Sequence, residues 1–99
     1  MHQYDLIVVG GGFSGAAAAI AAARGGCSVL LVEQTNCLGG AAQVNLVTPF
    51  MGYRTQGDNP IVLSRGLFTE ITDRIEKISG LPGKSTFHEE YLKLALQRM

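Results

Sequence analysis

One short segment constrains this chain more than any other. Gly10-Gly-Gly-Phe-Ser-Gly15 follows the apolar run Leu6-Ile-Val-Val9 and leads into Ala16–Ala23, an alanine stretch broken only by Ile20. Gly10, Gly12 and Gly15 occupy the three glycine positions of G-x-G-x-x-G. In that pattern the first glycine allows a tight turn off a strand, and the second lets a pyrophosphate approach the backbone. The third lets the following helix lie close against the strands. A helix starting here would aim its first amides and the positive end of its dipole at a bound diphosphate.

The motif alone is weak, and its context decides how it is read. Leu6-Ile-Val-Val9 is a continuous aliphatic run, as expected of a parallel strand buried on both faces, and it predicts a strand over 4–9. Alanine, the best helix former, predicts a helix over 14–24, with Gly25 and Gly26 as the stop. Ser28-Val-Leu-Leu-Val32 predicts a second buried strand over 28–33, closed by Glu33. Glu33 lies 23 positions after Gly10, close to the interval of about 20 at which an acid takes the ribose hydroxyls of a dinucleotide. A glycine loop of purely structural origin would not require an acid there.

The chain has 99 residues and a formal net charge of zero, with 46% hydrophobic content. This excludes a disordered tail or a nucleic-acid-binding arm and allows one small domain at most. Charge is uneven. Residues 1–53 carry only Asp5, Arg24 and Glu33, whereas 54–99 hold seven basic and six acidic side chains. The first half therefore reads as the core of a larger body and the second as solvent-facing helices. Asp5 and the interruption at Gly10–Gly15 argue against a secretory signal, and the same interruption argues against a membrane span. A cytoplasmic location is the default expectation. Cys27 and Cys37 have neither disulfide-framework nor metal-site spacing. Cys27 is expected to open the second strand as a small buried hydrophobe. Cys37 would lie near the nucleotide, where a redox or flavin-attachment role is the alternative to an inert thiol.

From Gln34 to about Asn59 the chain lacks periodicity and carries several glycines and prolines. A loop of this length is often functional, and short strand or helical pieces around Val44–Phe50 are compatible with it. A second helix is expected over 63–79, with an apolar stripe of Leu67, Ile71, Ile75 and Ile78. Glu70/Arg74 and Asp73/Lys77 pair at i,i+4 on its outer side. Thr86-Phe-His-Glu89 fits a capping box for a third helix, with Glu89/Lys93 as a further pair. The fold class is thus α/β: a partial Rossmann-like βαβ unit with two parallel strands, then a long loop and two helices. The abrupt end of the third helix at Met99 and the unfinished parallel sheet suggest the N-terminal part of a longer protein. The missing partner would be the C-terminal remainder of the cofactor-binding domain; no nucleic acid or membrane partner is expected.

Several stretches carry a resemblance. They are Asp5-Leu-Ile-Val-Val-Gly-Gly-Gly-Phe-Ser-Gly-Ala-Ala-Ala-Ala, Val29-Leu-Leu-Val-Glu33, Cys37-Leu-Gly-Gly40 and Val47-Thr-Pro-Phe-Met-Gly52, with a weaker match over Phe87–Leu96. Seventeen residues separate Gly15 from Glu33. In these features the chain resembles the N-terminal part of FAD-dependent oxidoreductases of the glutathione-reductase-like superfamily. The resemblance implies that Gly10, Gly11, Gly12 and Gly15 hold the FAD pyrophosphate, with Ser14 near the phosphates, and that Glu33 binds the adenosine ribose. It further implies that Gly39 and Gly40 admit the cofactor to the backbone, and that Gln34 lines the adenosine pocket.

No residue stands out as catalytic. His2 and His88 read as solvent-exposed or capping, and Tyr53 and Arg54 as surface residues of the long loop, with substrate contact as the alternative. Three functions remain open: an FAD-dependent oxidoreductase passing hydride between substrate and flavin, an NAD-binding dehydrogenase module, and a non-catalytic fragment. Glu33 suits FAD or NAD and disfavours NADP, whose 2′-phosphate would meet its charge. The 17-residue interval and Leu38-Gly-Gly40 favour FAD. Taken alone, the 99 residues are expected to bind FAD poorly and to aggregate through an exposed sheet edge.

Overall fold

Two aliphatic runs form the strands. β1 (Leu6–Val9) and β2 (Val29–Val32) pair in parallel, with Leu6 opposite Val29 and Val9 opposite Val32. Asp5 and Ser28 lock the start of this register. The Asp5 carboxylate accepts from the Ser28 amide at 2.8 Å and hydroxyl at 3.1 Å, and the Asp5 amide donates back to Ser28 Oγ. Between the strands runs α1 (Phe13–Arg24), whose alanines make a low surface and bury Ala16 and Ala19. The helix stops at Gly25-Gly26, where Gly26 turns the chain at φ 97°. In this computed structural model residues 3–46, 50, 53–80 and 89–99 are described.

The long connection after β2 contains a four-residue helix, α2 (Ala41–Val44), slightly earlier than the Val44–Phe50 region in which short pieces were anticipated. Its next part folds back on itself. Arg54 and Val62 form an antiparallel bridge, with Thr55 N–H donating to the Ile61 carbonyl and Leu63 N–H to that of Tyr53. This turn takes the residues that the sequence assigned to the start of the second helix. α3 begins only at Leu67 and runs to Ser79, because Gly66 enters it at φ 73°. α4 spans Glu89–Arg98. Its expected capping residue, Thr86, lies outside the described residues, and Lys93 pairs with Glu90 rather than Glu89. The Glu70–Arg74 pair forms as expected.

The core lies among the helices, not on the sheet. Ala16, Ala42, Ile71, Ile75, Leu92, Ala95 and Leu96 make one buried cluster, with Phe13, Leu38 and Ile78 packed around it. Among the described residues neither strand is buried on both faces. Ile7 is 58% and Val9 82% exposed, since no third strand joins the pair among the described residues. Cys27 is likewise exposed instead of buried, because it precedes β2 at the open end of the sheet. The fold class is otherwise as expected: α/β, with a parallel two-stranded βαβ unit followed by helices. Among the described residues no helix is long and apolar enough to cross a membrane.

Candidate functional site

The site forms where β1 and β2 end. Gly10 leaves β1 at φ 103°, a left-handed conformation that glycine tolerates, and its amide donates to the Val32 carbonyl at 2.7 Å. Gly12 is the N-cap of α1. The helix can begin this close to the strand only because Gly15 has no side chain: a Cβ there would lie 1.7 Å from the Gly10 carbonyl oxygen. At Gly12 the same addition meets only the Gly40 Cα, at 3.8 Å. The third glycine of the motif is therefore enforced by the protein's own packing. The second has steric room from the chain itself.

No side chain caps α1, and its first turn carries no acid. Its leading N–H groups are thus left for an outside acceptor, and the helix dipole favours an anion there. Ser14 lies exposed in this first turn.

Glu33 turns its carboxylate onto the glycine segment. Oε1 accepts from the Gly11 amide at 2.8 Å, while Oε2 accepts from the Thr35 amide at 2.7 Å and hydroxyl at 2.6 Å. The Thr35 hydroxyl, then the Gly11 and Thr35 amides, hold its pKa down to about 2, against a small opposing effect of burial. The acid is therefore ionised across the whole neutral range. Thr35 escaped the sequence reading, which looked to Gln34 beside the acid. Gln34 is exposed. A threonine two places after an acid at a strand end is the local signal that could have found it.

The loop Leu38-Gly39-Gly40 docks onto the same turn. The Gly39 amide donates to the Gly11 carbonyl at 3.0 Å. Gly39 has φ 120° and Gly40 φ 54°, and a Cβ on Gly40 would stand 2.9 Å from the Gly12 Cα. Leu38 covers Gly11 from above, since a Cβ on Gly11 would meet Leu38 Cδ2 at 2.6 Å. The structure thus brings Gly10, Gly11, Gly12, Gly15, Glu33, Gly39 and Gly40 together. A cleft of about 280 Å³ opens beside Glu33, between Leu31, Leu38 and Gln97. A larger open cleft, about 920 Å³, runs along α3 past Arg65, Thr69 and Lys77 and includes none of the glycine-turn residues. Its walls carry both charges with no convergent donor set, so we assign the site to the glycine turn.

Of the other residues singled out in the sequence, Tyr53 is buried rather than on the surface. Its ring lies 5.3 Å from that of Phe68, which contacts Phe50 at 5.2 Å; Phe50 in turn meets Phe13 of the glycine turn at 5.3 Å. The long loop is thereby tied to the site through a chain of four rings drawn from the glycine turn, the loop itself and α3. Arg54 is exposed and sits over the Tyr53 ring at 5.5 Å. Cys37 is half-buried, and its carbonyl oxygen lies 3.1 Å from the Thr35 hydroxyl oxygen. His2 and His88 lie outside the described residues.

The donor set fits a dinucleotide: uncapped helix amides for a diphosphate, a fixed carboxylate for hydroxyls, and two glycine loops facing each other at their Cα atoms. Comparison with curated proteins and with solved structures found no match. The model of one family, described as FAD dependent oxidoreductase, matches residues 5–99, nearly the whole chain, and supplies FAD as the dinucleotide. The chain belongs to the FAD dependent oxidoreductase family.

Proposed function

We propose that the Gly10–Gly15 turn, Glu33 and the Gly39-Gly40 loop hold the ADP half of FAD. Gly10, Gly11, Gly12 and Gly15 flank the pyrophosphate, with Ser14 near the phosphates, Glu33 takes the ribose, and Gln34 borders the adenosine. Residues 1–40 are then the ADP-binding unit, and 41–99 the loop and helices of the N-terminal part of an FAD-binding domain. The parent enzyme is a flavoprotein of the glutathione-reductase-like type. FAD held there would supply the redox chemistry, hydride transfer between a substrate and the flavin, since that chemistry resides in the cofactor. The chain's own residues orient the nucleotide and meet its charge.

The observation that carries this reading is the bond between the Gly11 amide and Glu33 Oε1 at 2.8 Å. It draws the acid that follows β2 onto the glycine turn that follows β1, so one ligand would touch both. The test is the visible spectrum of the protein expressed with its downstream reading frame. A flavin spectrum that disappears in Glu33→Arg and Gly12→Val is the expected result. A colourless, folded protein that binds NADH would overturn it.

A further inference from the structure

The bonds at Glu33 bear on how a ribose is recognised. An ionised carboxylate offers about four lone-pair positions, two on each oxygen. Oε2 already accepts from the Thr35 amide at 2.7 Å and from its hydroxyl at 2.6 Å. Oε1 accepts from the Gly11 amide at 2.8 Å, its single bond among the described residues. The carboxylate is not free to rotate away from this arrangement, because Gly11 is held from its other side by the Gly39 amide. The Thr35 hydroxyl also lies 3.1 Å from the Cys37 carbonyl. It has one proton to give, and the shorter contact to the ionised oxygen is the stronger of the two.

We infer that Thr35 is a positioning and specificity residue: it fills Oε2, so Glu33 presents one acceptor position, on Oε1, and grips the nucleotide ribose through one hydroxyl rather than both. This rests on the reading of Glu33 as the ribose acid. The low titration of Glu33 agrees with the geometry, since the Thr35 hydroxyl is its largest cause.

The test uses the protein expressed with its downstream reading frame and freed of FAD, with ADP, 2′-deoxy-ADP and 3′-deoxy-ADP, followed on the amide resonances of Gly10–Gly15. In the wild type one deoxy analogue should bind about as well as ADP, and the other roughly tenfold or more weakly, the loss expected for a hydrogen bond to a charged group. Thr35→Val opens a position on Oε2, so both analogues should then bind more weakly than ADP. Thr35→Ser should restore the wild-type pattern. Independently, the carboxyl resonance of Glu33 without nucleotide should titrate higher in Thr35→Val than in the wild type or Thr35→Ser. Equal losses for both analogues in the wild type would overturn the single-hydroxyl grip. An unchanged Glu33 titration in Thr35→Val would overturn the positioning role. If ADP itself fails to bind, the reading of Glu33 as the ribose acid falls and the single-hydroxyl grip with it, whereas the titration still decides the role of Thr35.

Discussion

At the scale of single residues, the glycines of the motif divide by what each is near, and this separates folding from binding. Gly15→Ala drives a methyl group into the Gly10 carbonyl, a 1.7 Å approach to backbone that cannot turn aside. α1 must then move off the strands, and we expect the variant to be grossly destabilised, as read by circular dichroism during thermal unfolding. Gly12→Ala meets nothing closer than 3.8 Å and should melt within a few degrees of the wild type while weakening FAD binding. A Gly15→Ala protein as stable as its parent would refute the tight helix–strand approach. Glu33 gives the second prediction at this scale. Its pKa is depressed from 4.5 to about 2, so the stability it lends is complete above pH 4.5 and drains away as pH falls toward 2. Glu33→Gln should remove that part of the acid transition, measured as denaturation midpoint against pH. The glycine spacing and the acid were legible in the sequence because each answers to a local steric or charge requirement. Thr35 was not, since its bonds depend on how the chain turns after β2.

At the scale of elements, the helices carry the stability and the strands carry the site. Leu92 and Ile71 are almost wholly buried where α3 meets α4, and Leu96 of α4 and Ala16 of α1 belong to the same buried cluster. Leu92→Ala should cost about 2–5 kcal/mol. A chain of this size has roughly 5–15 kcal/mol in total, so this substitution should leave a substantial unfolded fraction, measured by chemical denaturation. Ile61→Ala, on an exposed turn, should change little. Arg24 also ties the end of α1 to α3, donating to both Glu70 oxygens at 2.6 and 2.7 Å. α1, β1 and β2 were readable to within two residues because alanine-rich and aliphatic runs report their own secondary structure. The start of α3 was misread because Leu63–Arg65 are compatible with a helix, and the pairing of Arg54 with Val62 that claims this region spans residues far apart in any helical period. The ring chain of Phe13, Phe50, Phe68 and Tyr53 has no sequence periodicity at all.

At the scale of the whole molecule, the radius of gyration is 14.5 Å, against about 13 Å for a compact chain of 100 residues. The excess reflects a core confined to the helices and a sheet left bare. Ile7, Val9 and Val32 stand 58%, 82% and 45% exposed, although parallel strands are ordinarily covered on both faces. Among the described residues neither strand has a second neighbour, so each offers unpaired backbone groups along one edge. Such an edge flanked by exposed aliphatic side chains is a template for pairing with another chain. The 99 residues alone should therefore associate as their concentration rises, which sedimentation velocity would detect. Val9→Lys adds charge at the most exposed of these positions, without touching the helical core, and should lower the association while leaving the melting temperature nearly unchanged. A wild-type chain that stays monomeric at every concentration tested would mean that this apolar sheet is protected in solution by an arrangement of the chain other than the one described here.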